Sequence, residues 1–254
     1  MKIDAKKSLG QNFIFDNNIL KKIALNILTK SNNVMIEIGP GLGTLTNYLL
    51  CKNYKKLILL EKDSRFINIL ERNFTNKNID IINIDALEFD YQNPLYKNSI
   101  IVGNLPFNIS VELLYLLTKN KNWPPNQIKM LFMFQKEVAN RIIASSNNKS
   151  YGKLSVIVQS RYLVKKILDI PSSIFKPRPK VDATILEFIP YNKFSSININ
   201  KIDEVAKAAF SHRRKKIKNN LSKYLEIIHK LKIDSDLRAE DLSVLDYCMI
   251  AKNI

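Results

Sequence analysis

The stretch VMIEIGPGLGT, from Val34 to Thr44, decides the fold of this chain. It joins a short apolar run, Val34 to Ile38, to a loop in which Gly39, Gly41 and Gly43 alternate with other residues. The chain has only 6 glycines in 254 residues, so this concentration requires a mechanical reason. Glycine tolerates positive φ and lets a ligand approach the backbone closely. A buried strand, then this loop, then a helix beginning near Thr44 is typical of a nucleotide-binding unit.

The spacing of the three glycines indicates which nucleotide. It is GxGxG, whereas dinucleotide-binding loops carry GxGxxG and place the N-terminus of the next helix against a pyrophosphate. The difference favours S-adenosylmethionine, which has no phosphate, over NAD, and makes Gly39 and Gly41 candidate cofactor-binding residues. A purely structural turn between strand and helix is the alternative for the loop taken alone.

Further apolar runs of strand length extend the pattern along the chain. They are Leu57 to Leu60, Ile79 to Ile84, Ile100 to Val102 and Lys129 to Phe134, and helix-like segments separate most of them. Before the first strand, a helix capped by Asp16 carries Ile19, Leu20, Ile23, Ile27 and Leu28 at helical spacing. The alternation predicts an α/β fold with a parallel, doubly wound, Rossmann-like methyltransferase sheet and ligands at the carboxyl ends of its strands.

The pattern changes near Pro190, where a polar stretch from Tyr191 to Asn200 precedes segments of helical period. We predict a Rossmann-like domain over residues 1–190. Residues 191–254 are too few for a second large sheet, so we predict a small helical domain there.

Two acidic residues follow predicted strands at the intervals that a nucleoside cofactor requires. Glu61 ends the second strand, where a carboxylate accepts hydrogen bonds from ribose hydroxyls. Asp85 follows the third and could accept from the adenine amine of the cofactor. An exposed carboxylate beside Lys62, and the general preference of Asp for strand ends, are the alternatives.

The tetrapeptide Asn104-Leu105-Pro106-Phe107 follows Gly103 and has a chemical rationale. The lone pair of an adenine N6 amine is delocalised into the ring, so the amine needs two hydrogen-bond acceptors that pyramidalise it and direct it at a methyl donor. The side-chain carbonyl of Asn104 and the main-chain carbonyl of Leu105 could serve, with Pro106 biasing Leu105 to an extended conformation. Phe107 could stack on the base. Taken alone, the tetrapeptide is more typical of an ordinary proline turn that closes a strand, and the preceding glycine loop and acidic residues are what favour the catalytic interpretation.

The overall composition favours a polyanionic partner, because the net charge is +17. Lysine accumulated under A+T-rich coding is the alternative. Apolar runs are too short for a membrane span and the N-terminus shows no targeting pattern, so we expect a cytoplasmic protein. Cys51 and Cys248 have no CxxC spacing and are expected in the core. With only two histidines we expect no metal, and we expect a monomer.

Taken together, these motifs resemble the ribosomal RNA adenine N6,N6-dimethyltransferases of the KsgA type over almost the whole chain. The matching stretches are LGQNF from Leu9, EIGPGLGTLT from Glu37, LEKD from Leu60, DAL from Asp85, GNLPFNIS from Gly103, FQKEVANRI from Phe134, YGKLSV from Tyr151, PSSIFKPRPKVDATI from Pro171 and AFSHRRKKIKNNL from Ala209.

The resemblance implies roles for individual residues. It places Asn12 and Ile14 at the methionine end of S-adenosylmethionine, Gly39 beneath it, Glu61 at the ribose and Asp85 at the adenine, with Asn104 contacting both cofactor and target. It implies that the substrate is a pair of adjacent adenosines in the 3′-terminal hairpin of small-subunit ribosomal RNA, within an assembling 30S particle. Phe107 departs from the Tyr of many members, which preserves stacking and removes a hydroxyl.

A basic segment predicts where RNA binds. It comprises Arg213, Arg214, Lys215, Lys216 and Lys218; Arg178 is a further candidate, and Arg141, Lys176 and Lys180 are weaker ones. A solvated helix face is the alternative for such a charge run. Two other functions remain open: an Erm-type large-subunit methyltransferase, and an assembly or mitochondrial transcription factor that uses the fold for binding.

Overall fold

The computed structural model of the chain describes residue 6, residues 10–120 and residues 122–254. Leu9, the first residue of the LGQNF motif, lies outside these ranges. The strands are β1 (Phe13–Ile14), β2 (Val34–Ile38), β3 (Lys56–Glu61), β4 (Ile79–Asn83), β5 (Ser99–Gly103), β6 (Gln127–Gln135), β7 (Tyr162–Ile170), β8 (Phe175–Lys176) and β9 (Ala183–Pro190). The α-helices are α1 (Asn17–Leu25), α2 (Thr46–Leu49), α3 (Ser64–Asn73), α4 (Ser110–Thr118), α5 (Lys136–Ile143), α6 (Lys153–Gln159), α7 (Ile199–Ala209), α8 (Ile217–Asn220), α9 (Leu225–Lys230) and α10 (Val244–Lys252).

Seven strands form one sheet in the order β4-β3-β2-β5-β6-β9-β7. The first five are parallel, which confirms the predicted α/β class, and β9 pairs antiparallel with β6. The parallel sheet that the apolar runs predicted is therefore extended at that edge by an antiparallel strand. A separate two-stranded sheet joins β1 to β8.

The register of the central strands positions the site. Ile38 at the end of β2 pairs with Leu60 on β3 and with Gly103 on β5. The residues that directly follow Ile38, Leu60 and Gly103 in the chain are Gly39, Glu61 and Asn104, respectively. Parallel strands in this register bring their carboxyl ends to one edge, so motifs far apart in sequence meet there.

The core explains why these strands form. All residues of β2 and β5 are buried, as apolar runs between two helical layers require. Helix α1 begins as predicted, with the Asp16 side chain accepting from the Ile19 amide, but it ends at Leu25. Leu28 is consequently 73% exposed and is not part of the buried stripe.

The chain forms two compact units that interleave along the sequence. Of the described residues, the first contains residue 6 and residues 10–117, 125–136 and 165–189; the second contains residues 118–120, 122–124, 137–164 and 190–254. The predicted division into domains at residue 190 stays a prediction. Within the described residues, no helix combines the length and apolarity that a membrane crossing requires.

Candidate cofactor and catalytic site

A cavity at the carboxyl edge of the sheet brings together most of the predicted site residues. Its lining includes Asn12, Gly39, Gly41, Glu61, Asp85, Asn104, Leu105 and Phe107. All of them belong to the first compact unit. Ile14 is the exception, because its side chain is buried in the hydrophobic core and does not line this cavity.

The glycine loop needs its glycines for two different reasons. Gly41 has φ +54°, and a Cβ there would lie 2.8 Å from the Phe13 ring, so the loop can close only without a side chain. Gly39 has φ +66°, yet a Cβ there would meet nothing within 4 Å. Because Gly39 lines the cavity, its missing side chain leaves space that a ligand can occupy.

Glu61 ties the glycine loop to the next strand. One carboxylate oxygen accepts from the Gly41 amide at 3.0 Å and the other from the Asp63 amide at 2.8 Å. Burial raises the pKa of Glu61, and these backbone hydrogen bonds offset the rise only in part. Each carboxylate oxygen can accept a second hydrogen bond, so the side chain can receive ribose hydroxyls.

Asp85 is held by two donors at the same edge. Its carboxylate contacts the Lys62 ammonium at 2.5 Å and accepts from the Leu87 amide at 3.0 Å. Burial alone would raise the pKa of Asp85, but the hydrogen bonds from Lys62 and Leu87 outweigh it and lower the pKa. Lys62 is the one cation among the described residues that line the cavity, and this pairing neutralises it. Such a cavity suits a nucleoside cofactor without phosphates.

The side chain of Asn104 is oriented by a hydrogen bond to the main chain of Asn12. Its side-chain Nδ2 donates to the main-chain carbonyl of Asn12 at 2.9 Å. The Asn12 side chain in turn donates to the Gly10 carbonyl at 3.0 Å. Within the described part of the chain, Oδ1 of Asn104 has no hydrogen-bond partner, so it remains available as an acceptor.

The main-chain carbonyls of Leu105 and Pro106 differ in whether they already accept hydrogen bonds. The Pro106 carbonyl accepts from the amides of Ile109 and Ser110 at 3.1 and 3.2 Å and so begins helix α4. The Leu105 carbonyl receives no hydrogen bond from any described residue. Its side chain packs so closely on Gly103 that a Cβ there would lie 2.8 Å from Leu105 Cδ2. The loop therefore presents two free acceptors, Asn104 Oδ1 and the Leu105 carbonyl.

Sequence reasoning missed a polar network that fixes the N-terminal segment. Asp63 caps helix α3, accepts from Gln11 Nε2 at 3.0 Å and contacts Arg65 Nη2 at 2.6 Å. The Arg65 hydrogen bond, with help from Gln11, lowers the pKa of Asp63 although the carboxylate is buried. An Asp directly before a helical run is a capping signal that could have identified this residue.

Sequence reasoning also missed Glu37, which is buried at the end of β2. It accepts a 2.7 Å hydrogen bond from the Thr46 hydroxyl. Burial raises the pKa of Glu37 to about 8; the hydrogen bond from Thr46 opposes this rise, and the negative charge of Glu61 adds to it. The uncharged acid is therefore the favoured form near neutral pH.

The predicted RNA-binding residues divide into paired and unpaired cations. Arg213 donates to the carbonyls of Lys149 and Tyr151 and pairs with Glu240, each at 2.9 Å. Lys216 and Lys218 both pair with Asp236, at 3.3 and 2.7 Å.

Arg214 and Lys215 differ from their neighbours in the basic segment. Both are exposed, and no ion pair to either occurs among the described residues. The segment is also not one helix: residues 210–212 form a 3-10 turn and α8 begins only at Ile217. Ile217 is buried and anchors the start of α8, so Arg213 to Lys216 lie outside the α-helices and Lys218 lies on α8.

The candidates outside this segment also differ in their contacts. Arg178 is exposed, with Nε 3.3 Å from the Ser172 hydroxyl. Arg141 pairs with Glu137, four residues earlier on α5. Lys176 lies 5.9 Å from the centre of the Phe15 ring, and Lys180 is exposed.

The two cysteines differ in their exposure to solvent. Cys248 is buried as expected, whereas the expectation that Cys51 is a core residue is wrong, since it is exposed after the short helix α2. No cluster of three or more His, Cys, Asp or Glu side chains suited to a metal occurs among the described residues.

The mixed sheet, the glycine loop and the strand-end carboxylates define the chain as a Rossmann-like methyltransferase. The family model described as "Ribosomal RNA adenine dimethylase" matches residues 3–254. The chain belongs to the ribosomal RNA adenine dimethylase family. It is therefore an S-adenosylmethionine-dependent enzyme that methylates adenine in ribosomal RNA, as the motifs predicted.

Individual relatives cover nearly the whole chain. "Ribosomal RNA small subunit methyltransferase A" of Wigglesworthia glossinidia brevipalpis is 41% identical over 98% of this chain and 97% of that protein. The protein of the same name from Buchnera aphidicola is 40% identical over 98% of this chain and 96% of its own length.

Solved structures agree with this family. A dimethyladenosine transferase from Plasmodium falciparum aligns with a TM-score of 0.84 and 25% identity, over 94% of this chain and 96% of that one. The 23S rRNA methyltransferase ErmE shares the fold, with a TM-score of 0.71 and 18% identity over 94% of this chain and 98% of that one.

Proposed function

We propose that this chain dimethylates the N6 amines of two adjacent adenosines in the 3′-terminal hairpin of small-subunit ribosomal RNA, during assembly of the 30S particle in the cytoplasm. The choice of subunit rests on the relatives at 40 and 41% identity, which are named for the small subunit. The observation that carries the chemistry is the pair of free acceptors, Asn104 Oδ1 and the Leu105 carbonyl, on two residues that line the cofactor cavity.

The cofactor supplies an electrophilic methyl group on a sulfonium centre. Glu61 binds the ribose hydroxyls and Asp85 the adenine amine, while Gly39 leaves room for the ligand. Asn12 borders the methionine end, and any contribution of Ile14 is through its main chain, because its side chain is buried in the core.

The chain's contribution to the transfer is alignment. Asn104 Oδ1 and the Leu105 carbonyl each accept one N6 hydrogen bond, so the lone pair of the amine is directed at the methyl carbon. The hydrogen bond from Asn104 Nδ2 to Asn12 prevents the amide from rotating its donor toward the target. The methylated amine is acidic and loses its proton to water, so no general base is required.

Phe107 provides the stacking surface for the extruded adenine. It is half-buried, lines the cavity and packs against the core, so its ring is held in place before the base arrives. Stacking on an aromatic ring contributes about 1 to 3 kcal/mol per base. The absent hydroxyl of a Tyr is not needed for this interaction.

The basic segment positions the RNA through its phosphates. Arg214 and Lys215 are free to make such contacts, whereas Lys216 and Lys218 must first leave Asp236. Phosphate contacts orient a substrate without reading its sequence, so selection of the target depends on RNA shape and on a base that can be extruded.

Labelling of purified ribosomal particles tests the substrate. Small subunits from cells that lack this modification should incorporate tritiated methyl from the cofactor, and fully modified small subunits should not. Labelling of large-subunit RNA alone would identify the Erm-type alternative. Absence of labelling in both, with RNA binding retained, would identify a binding factor.

A further inference from the structure

A groove on the first compact unit lies next to the cofactor cavity. Phe15, Asn17, Asn47, Tyr48 and Cys51 line it, and its volume is about 390 Å³. The ring of Phe13, which lines the cofactor cavity, has its centre 6.4 Å from that of Phe15 in the groove. The two concave surfaces are therefore neighbours.

The groove combines three features of single-strand nucleic acid binding sites. Phe15 is 45% exposed, although a phenylalanine gains about 25 cal/mol for each Å² of apolar surface it buries. The ammonium of Lys176 lies 5.9 Å from the centre of the Phe15 ring, so a positive charge accompanies the aromatic face. Asn17 and Asn47 are exposed, and their side-chain amides form no hydrogen bond with other described residues.

We propose that this groove binds an unpaired nucleotide of the ribosomal RNA next to the target adenosine, with its base on Phe15 and its phosphate near Lys176. The proposal rests on the RNA substrate proposed above. Extruding the target base disrupts stacking of its neighbours, so an adjacent base becomes available where the groove lies. Aromatic stacking tolerates any base, and the free amides can bind the edge of the base.

The chemistry favours RNA over a protein partner as the occupant. A protein would cover Phe15 with apolar side chains, but the exposed amides of Asn17 and Asn47 line the groove and the Lys176 ammonium lies close to the Phe15 ring. The chain as a whole has a net charge of +17, which attracts phosphates.

Cys51 allows a test on the unmodified protein, because it is exposed in the groove while Cys248 is fully buried. The rate of Cys51 alkylation by iodoacetamide is measured by mass spectrometry with and without saturating protein-free small-subunit RNA. We expect RNA to slow alkylation at least fivefold. An unchanged rate with RNA bound would overturn the proposal, and protection only by protein-containing particles would indicate a ribosomal protein in the groove.

Substitution of Phe15 gives an independent test. Phe15→Ala should raise the KM for RNA about tenfold and leave kcat and cofactor affinity unchanged, and Phe15→Tyr should retain the wild-type KM. Leu28→Ala, at an apolar residue 73% exposed on the same unit, is the matched control. If wild-type protein methylates small-subunit RNA but Phe15→Ala behaves as Leu28→Ala does, the groove proposal fails. If wild-type protein methylates no ribosomal RNA, the proposed function fails, and Cys51 protection still decides whether RNA occupies the groove.

Discussion

The cofactor cavity and the basic segment 213–218 both contain polar and charged side chains, but the two regions use their hydrogen bonds differently. In the cavity, the internal bonds of Glu61 and Asn104 hold each side chain so that an acceptor remains free. In the basic segment, the side chains of Arg213, Lys216 and Lys218 already pair with carbonyls and carboxylates of their own unit. Hydrogen bonds within the chain therefore orient the acceptors of the cavity, whereas ion pairs within the chain leave fewer cations of the basic segment available for phosphates.

The comparison implies different consequences of substitution in the two regions. A change in the cavity removes an interaction that no other residue can replace, because the geometry is set by buried neighbours. A change in the basic segment removes one of several phosphate contacts in solvent, where each contributes little. Effects should therefore be largest in the cavity.

The largest effect is expected for Asn104→Ala, which removes one of the two acceptors for the target amine. We predict a kcat reduced about 100- to 1000-fold, comparable to the loss of one preorganised transition-state hydrogen bond in other enzymes. RNA and cofactor affinities should change less than tenfold. Single-turnover kinetics and equilibrium binding measure these quantities, with exposed Asn18→Ala on α1 as the control. A variant that keeps wild-type kcat would exclude the alignment mechanism.

Glu61→Gln should have the next largest effect. The amide can accept from only one of the two backbone N–H groups that Glu61 now binds, so both the glycine loop and the ribose site are weakened. We predict a loss of cofactor affinity of about 10- to 100-fold, measured by isothermal titration calorimetry. Glu71→Gln, at an exposed carboxylate on α3, should bind the cofactor as wild type does.

Glu37 should make stability depend on pH. Burial raises its pKa from 4.5 to about 8, so between these values the folded chain holds a proton that the unfolded chain releases. The free energy of unfolding should therefore fall as pH rises through this window, by up to about 1.4 kcal/mol per pH unit from this group. Urea unfolding at pH 5.5 and 7.5 should show that Glu37→Gln loses this contribution and Glu71→Gln retains it. Equal pH slopes in all three proteins would mean that Glu37 is ionised in the fold.

The smallest effects are expected in the basic segment. Replacing Arg214 and Lys215 together by Ala should weaken RNA binding about tenfold at physiological salt and reduce the salt slope by about 2. Replacing Lys216 and Lys218 by Ala should weaken it less than threefold, because Asp236 already neutralises part of their charge. Filter binding across a salt series compares the two double variants. Equal losses of RNA affinity in the two double variants would show that RNA separates Lys216 and Lys218 from Asp236 at no cost in binding free energy.

The parts of the site that could be predicted from sequence are local. The glycine loop and Asn104 each follow directly after a strand that the apolar runs identified, and Glu61 ends another. The strand register then brings all three together. The hydrogen bond from Asn104 to Asn12 joins residues 92 positions apart, so no sequence window contains it. The orientation of the amide, on which the mechanism depends, therefore required the structure.

The failures of sequence reasoning have the same physical origin. Whether a lysine is free or paired depends on where an acid such as Asp236 folds back, and charge runs do not encode that. The strand β9 was not predicted, because it is antiparallel and does not follow a helical crossover of the kind that identified the parallel strands. Cys51 is exposed because α2 ends after one turn, which its residue type alone does not indicate.

The identity of the methylated nucleoside tests the central claim most directly. Small subunits that lack the modification are incubated with the protein and S-adenosylmethionine, and their RNA is then digested to nucleosides and analysed by mass spectrometry. We expect N6,N6-dimethyladenosine with wild-type protein and at most trace methylation with Asn104→Ala. Methylation of a ribose hydroxyl or of another base by the wild-type protein would contradict it.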